Sequence, residues 1–165
     1  DGPATDWRTN RDRAYLDAVA RAGLEALPSL ILHGYQPRAQ IADAANFQAR
    51  ARQIAGYCLE HLSGAGTVDA IMLPTDLDVF PAAAACRLLN KIPGKDVQLL
   101  GFDNLWKDCW ERSFEDYVPP VTVEKHNDRV GSAMVDLLTR RITDGAKEAP
   151  RRTLVETEII SVAAS

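Results

Sequence analysis

The chain is sparing in the residues that usually announce chemistry. It has 3 histidines, 3 cysteines and 2 methionines in 165 residues. His33, His61 and His126 are scattered and lack ligand partners in sequence, which argues against a metal site, since metal ligands must be gathered. Cys58, Cys86 and Cys109 are odd in number and match no metal-binding spacing. Cys58 and Cys86 fall on the apolar faces of predicted helices, so the expectation is buried, reduced thiols and a cytoplasmic setting. No apolar run approaches the roughly 20 residues that span a bilayer, and no cationic-then-apolar leader opens the chain, so no membrane association is expected. A net charge of −4 argues against a nucleic-acid surface on this segment, because such surfaces are basic. Nucleophile elbow, Walker sequence and paired carboxylates are all missing, so neither an enzyme nor a cofactor is the expected reading. Ser63-Gly64-Ala65-Gly66 is glycine-rich but follows a helix, which makes it a helix stop rather than a phosphate cradle.

What is present is an ordinary globular composition, 46% apolar and 25% charged, in a chain long enough for one domain with a core. A first helix is expected from Thr9 or Asn10 to Ala22, with Tyr15, Leu16, Val19 and Ala22 as its stripe and Gly23 as its stop. Leu30-Ile31-Leu32 reads as a short strand. A second helix from Asp43 to Leu62 carries Phe47, Ala51, Ile54, Ala55, Cys58, Leu59 and Leu62 at helical spacing. A strand follows near Val68–Leu73, then a helix near Val79–Leu89. Pro81 is expected within the first turn of that helix, which sets its start at Asp78 or Val79. A strand near Val97–Gly101 follows. The aromatic stretch Leu105–Tyr117 and Pro119-Pro120 interrupt the pattern. Then come a strand at Val121-Thr122-Val123, a helix from Asn127 or Asp128 through Ile142, and a last strand between Leu154 and Val162. Strands alternating with helices predict an α/β fold with an open, mostly parallel sheet flanked by helices.

Val68 to Asn104 is the most telling stretch. Its two short apolar runs, Ala70-Ile71-Met72-Leu73 and Val97-Gln98-Leu99-Leu100, fit buried parallel strands, and each ends in a polar pair, Thr75-Asp76 and Asp103-Asn104. In open α/β sheets ligands bind just beyond the carboxyl ends of strands. Asp76 can equally cap the helix that follows, and that reading has the edge. Asp103 can equally be a turn or N-cap aspartate.

Four blocks in order now resemble a known family. Gly2-Pro3 with Arg11-Asp12-Arg13-Ala14-Tyr15 is similar to a Gly-Pro turn followed by Arg-x-x-Gly-aromatic. Val68-Asp69-Ala70-Ile71 with Thr75-Asp76 is similar to a strand ending in Asn-Asp, and Ile92 to Asn104 to a segment ending in Gly-Phe-Asp-Asp. Val121-Thr122-Val123, Gly131 and Leu154 to Ile160 match a crossing strand, its helix and a last strand. The chain thus resembles the effector-binding domain of the lactose- and galactose-repressor family, whose fold is periplasmic-binding-protein-like, with two lobes. Ala14 stands where that family usually has Gly, and Thr75 where Asn is common.

The resemblance implies a regulator segment. Residues 1–118 and 148–165 would form most of the C-terminal lobe. Residues 119–147 would be a crossing piece of the other lobe, and the DNA-binding domain would lie elsewhere. Asp1-Gly2-Pro3 reads as the exit from a strand upstream. The resemblance also implies a sugar-like or nucleoside-like effector, a homodimer, and Arg11 and Asp103 as effector contacts. A carboxylate accepts from neighbouring hydroxyls while a guanidinium donates to the same oxygens, at roughly 1.5–3 kcal/mol per desolvated bond. From residue type alone, the favoured reading of Arg11 is a solvated helix-start arginine or one paired with Asp6 or Asp12, and the resemblance reverses that preference. Thr75 offers a hydroxyl contact. Trp7, and less so Trp106 and Trp110, could stack on a sugar ring or simply pack. The competing reading is an exported sugar-binding protein feeding an ABC-type transporter, separable by the residues upstream of Asp1.

Overall fold

The computed structural model describes residues 7–27, 29–30, 41, 43–63, 68–143 and 152–162, with the side chains of Trp7 and Arg8 outside that set. The chain forms two compact units, Asp1–Pro37 and Arg38–Ser165.

The first unit holds α1, Trp7–Arg21. It begins earlier than the expected cap, so Thr9 and Asn10 lie inside its first turn rather than before it. Its end is as expected. Gly23 takes φ +68°, and the Gly23 and Leu24 amides donate to Ala20 and Val19 carbonyls at 3.1 Å each. This crossed pair satisfies carbonyls the helix leaves open, and the left-handed residue suits glycine. The chain then returns along the helix: Leu27 N donates to Tyr15 Oη at 3.1 Å and Ser29 Oγ to Asp12 Oδ1 at 2.9 Å. The expected strand at Leu30-Ile31-Leu32 has Ile31 and Leu32 outside the described residues.

The second unit contains the described core. Helix α2, Ala44–Leu62, is capped by Asp43, whose carboxylate accepts from Asn46 N at 2.8 Å. Phe47, Ala51, Ile54, Ala55, Cys58 and Leu62 are its buried face, while Leu59 is exposed. That face packs on α3, Asp76–Leu88, through Val79, Phe80, Ala82, Ala83, Ala85 and Cys86. The alanines allow close approach, and Arg50 pairs with Asp78 at 3.5 Å across the two helices. Helix α3 starts earlier than Pro81 led us to expect, placing the proline in the second turn. The early start is held by other bonds: Asp76 N donates to Phe102 O at 2.8 Å and Asp78 N to Thr75 O at 3.1 Å.

Strand β1, Ala70–Met72, pairs in parallel with β2, Gln98–Leu100, in the register Ala70↔Gln98. Val97 and Leu99 are buried as expected of a parallel strand, but Ala70 and Met72 of β1 are exposed. Strand β3, Val121–Glu124, pairs antiparallel with β4, Glu158–Ser161. Two backbone bonds join the pairs: Gly101 N to Val121 O at 3.0 Å and Asp103 N to Val123 O at 2.9 Å. The expected aromatic interruption becomes core. It includes a 3-10 turn, Trp110–Ser113, and sends Trp106 and Cys109 into a cluster with Ile41, Phe47 and Phe80. Tyr117 passes under β2, its Oη accepting from Leu99 N at 3.2 Å. All three cysteines are free and buried, in line with the sequence reading. Helix α4, Asn127–Thr143, follows β3 and buries none of its side chains, leaving Met134, Leu138 and Ile142 exposed.

Candidate functional site

Two aspartates stand beyond the ends of the paired strands. The end of β1 delivers Asp76, the first residue of α3. Its side chain does not cap that helix, contrary to the favoured reading. It is fully buried and gathers three donors from elsewhere: Leu105 N at 2.6 Å and Trp106 N at 3.1 Å on Oδ2, and Thr122 Oγ1 at 2.8 Å on Oδ1. Thr122 in turn accepts from Asn104 N at 3.2 Å. One carboxylate therefore fastens the turn after β2 and strand β3 to the start of α3. Burial pushes the Asp76 carboxyl above its usual range, these hydrogen bonds oppose that, and the charge of Asp103 adds to it. Gly101 is required beside it, because a Cβ there would collide with the Asp76 carboxylate.

The end of β2 delivers Asp103 in an unusual backbone state. Asp103 has φ +102° and Asn104 φ +53°. Two consecutive left-handed residues that are not glycine cost of order 1–3 kcal/mol each and tend to persist where surroundings or function demand them. The amide of Asp103 is held by Val123 O, and its Oδ1 lies 2.7 Å from Lys125 Nζ. Asp103 is half-buried, and Lys125 is partly exposed.

Around this pair lies a polar net that sequence reasoning missed. Asn104 Nδ2 donates to Glu124 Oε2 at 2.9 Å, and His126 N donates to Glu124 Oε1 at 2.7 Å. His126 Nε2 is 3.5 Å from Glu158 Oε2. The Asn104 and His126 bonds hold the Glu124 carboxyl below its usual range. Glu124-Lys125-His126 looked like the tail of a strand, and no local pattern points it at Asp103. Only the crossing of β3 past the end of β2 does so.

The other expected residues fare differently. Thr75 ends the same approach as Asp76, and its Oγ1 is buried with no hydrogen-bond partner among the described residues. Arg11 lies on α1, in the first unit, and is half-buried. Trp7 begins that helix, and its side chain lies outside the described residues. Trp106 is core, with Lys107 and Arg112 over its ring at 5.4 and 5.3 Å, so it cannot lie flat on a ligand. Trp110 is exposed and meets Phe114 edge-on at 5.8 Å.

A recess of about 490 Å³ opens beside these elements, lined by Ile41, Leu77, Leu105, Asp108, Cys109, Trp110 and Glu111. That volume suits a small molecule. Burial pushes the Cys109 thiol up to about 12, so it is no nucleophile near neutral pH.

Polar side chains thus gather beyond the ends of the paired strands. None of the curated protein sequences compared with the chain matches it. Among solved structures it is similar to a LacI-type transcription regulator from Bifidobacterium animalis subsp. lactis, at TM-score 0.66 and 21% identity, covering 93% of this chain and 49% of that one. It is similar to the transcriptional regulator CelR in complex with cellobiose, at 0.58 and 22%, covering 91% and 40%. It is also similar to a regulatory protein of the LacI family from Chloroflexus aggregans, at 0.57 and 24%, covering 88% and 46%. The chain thus spans less than half the length of each of these three proteins, and the likeness carries the fold. The model of the periplasmic binding protein-like domain matches residues 2–161, and the chain belongs to that family.

Proposed function

We propose that the chain is the sensing part of a transcriptional regulator, taking a small sugar-like or nucleoside-like effector and changing the DNA affinity of a separate domain. The observation that carries this reading is Asp103. A partly exposed carboxylate at the end of a parallel strand is held in a strained left-handed conformation, joined to the segment that leads into α4. One side-chain oxygen faces Lys125, and the carboxylate keeps acceptor capacity for a ligand hydroxyl. The cellobiose complex of the CelR regulator, which shares this fold, supports a carbohydrate as the ligand class.

On this reading Asp103 contacts the effector, with Thr75 as a further contact. Residues 1–118 and 148–165 belong to one lobe and 119–147 to the crossing piece of another. The exposed stripe Met134, Leu138 and Ile142 on α4 supports that division, because an amphipathic helix with its apolar face bare calls for a covering partner. The protein acts in the cytoplasm as a homodimer. Effector contact with Asp103 competes with Lys125, and so biases the crossing segment between two arrangements.

The test is a titration of the intact protein on its operator with monosaccharides, disaccharides and nucleosides. One of them should change DNA affinity at least several-fold, and Asp103→Asn should remove the response while leaving effector-free DNA binding intact. If no compound changes DNA binding but one binds tightly, the solute-binding reading takes over.

A further inference from the structure

We infer that the recess lined by Leu77, Leu105 and Trp110 takes the protonated amine of a small ligand, with Glu111 as its counter-charge and the Trp110 indole as its wall. Glu111 is the observation that demands a partner. It is 6% exposed, and its Oε2 is buried without a hydrogen-bond donor among the described residues. A buried carboxylate oxygen left without a donor is costly, and an ammonium group supplies both donor and charge. Asp108 lines the same recess and adds a second acidic group. The potential there is negative beyond these two: burial raises the Cys109 thiol, and the charges of Glu111, Asp76, Asp108 and Asp103 raise it further. Lys107 and Arg112 stand over the Trp106 ring, and neither is among the described residues that line the recess. Trp110 is exposed, lines the recess and stands nearly perpendicular to Phe114, and indole is the best aromatic surface for a cation. Ile41, Leu77 and Leu105 give the recess an apolar floor for the carbon part of the ligand. A bare metal ion fits poorly, because among the described residues no group of three His, Cys, Asp or Glu could hold one.

The ligand class is therefore a small organic ammonium. Resting on the sugar-sensing reading above, it narrows the effector to an amino sugar or another polyol bearing an amine.

The test is a ligand-observed NMR titration of the intact protein at constant ionic strength, using two matched pairs of probes. The pairs are n-butylammonium against 1-butanol, and glucosamine at neutral pH against glucose. Butylammonium should bind at least about tenfold more tightly than butanol, and Glu111→Gln should bring that ratio to about one. Asp108→Asn, on the exposed rim, should lower the ratio about two- to threefold without touching the core. Equal binding of the two butyl probes to the wild type overturns the inference. So does a ratio unchanged in both Glu111→Gln and Asp108→Asn. If glucosamine shows no advantage over glucose while butylammonium keeps its own, the amine site stands and the sugar reading of this face fails.

Discussion

Two aspartates lie beyond the ends of two neighbouring parallel strands, and they have opposite surroundings. Asp76 is sealed, accepts three hydrogen bonds and touches no solvent. Asp103 is partly open, has one ammonium beside its carboxylate and sits on strained backbone. The same position in a fold is thus locked into the structure on one strand and left partly open on the next. Burial and the number of protein donors, rather than residue type, separate the two.

The sharpest way to break the comparison is to remove the sealed member. Asp76→Ala leaves the amides of Leu105 and Trp106 and the Thr122 hydroxyl without their acceptor. Buried groups orphaned in this way cost about 1–3 kcal/mol each, so a loss of about 4 kcal/mol is expected in urea unfolding of the intact protein. Asp103→Ala should cost less, because its half-buried carboxylate has one ammonium beside it rather than three donors that would be orphaned. Equal losses at the two sites would erase the distinction.

Gly101→Ala tests the same hub from outside. The added methyl meets the Asp76 carboxylate, backed by the Val79 side chain. Overpacking of this kind costs about 1–3 kcal/mol, and the melting temperature should fall accordingly. The double variant Gly101→Ala with Asp76→Ala should lose less than the sum of the single losses, because the collision is with the group removed.

Much of this architecture was legible in the sequence. The buried stripe of α2 follows from spacing, its start from Asp43, the stop of α1 from Gly23, and the two parallel strands from short apolar runs. Pro81 misled the start of α3, because the first helical residue is held by a bond from Asp76 N to Phe102 O, which is distant in sequence. The aromatic stretch looked irregular, and its burial depends on contacts with Ile41, Phe47 and Phe80. At the site, Asp103 was singled out by its position after a buried strand together with the family resemblance. Lys125 and Glu124 were not, since their meeting with the turn after β2 depends on where β3 crosses. Local pattern finds groups that one strand end delivers. It cannot find those that a second strand brings past it.

Strain offers a test with the opposite sign. Asp103→Gly removes the carboxylate but suits φ +102°, which glycine adopts readily. If the backbone is held there for recognition, this variant should unfold at higher urea, gaining about 1 kcal/mol, while losing any effector response. Stability gained together with function lost would mark Asp103 as the functional member of the pair. A stability loss would mean that the Lys125 pair outweighs the strain, and would make Asp103 structural like Asp76.

The smallest effect expected is on the pH dependence of stability, through the sealed aspartate. Burial raises the Asp76 carboxyl, so in the folded protein it holds its proton at a pH where the unfolded chain has released it. The folded state binds more protons in that window, and stability falls as pH rises from the ordinary carboxylate value of about 4 through the raised one. Glu124 works the other way. Its carboxyl is lowered, so its contribution is present above the ordinary value and is lost as pH falls through the lowered one. Urea unfolding at closely spaced pH values above the ordinary carboxylate range should therefore show a wild-type advantage over Asp76→Asn that narrows as pH rises. An advantage at Asp76 that widens with pH would mean that its three hydrogen bonds outweigh its burial, and that the sealed aspartate is held charged by the turn it fastens.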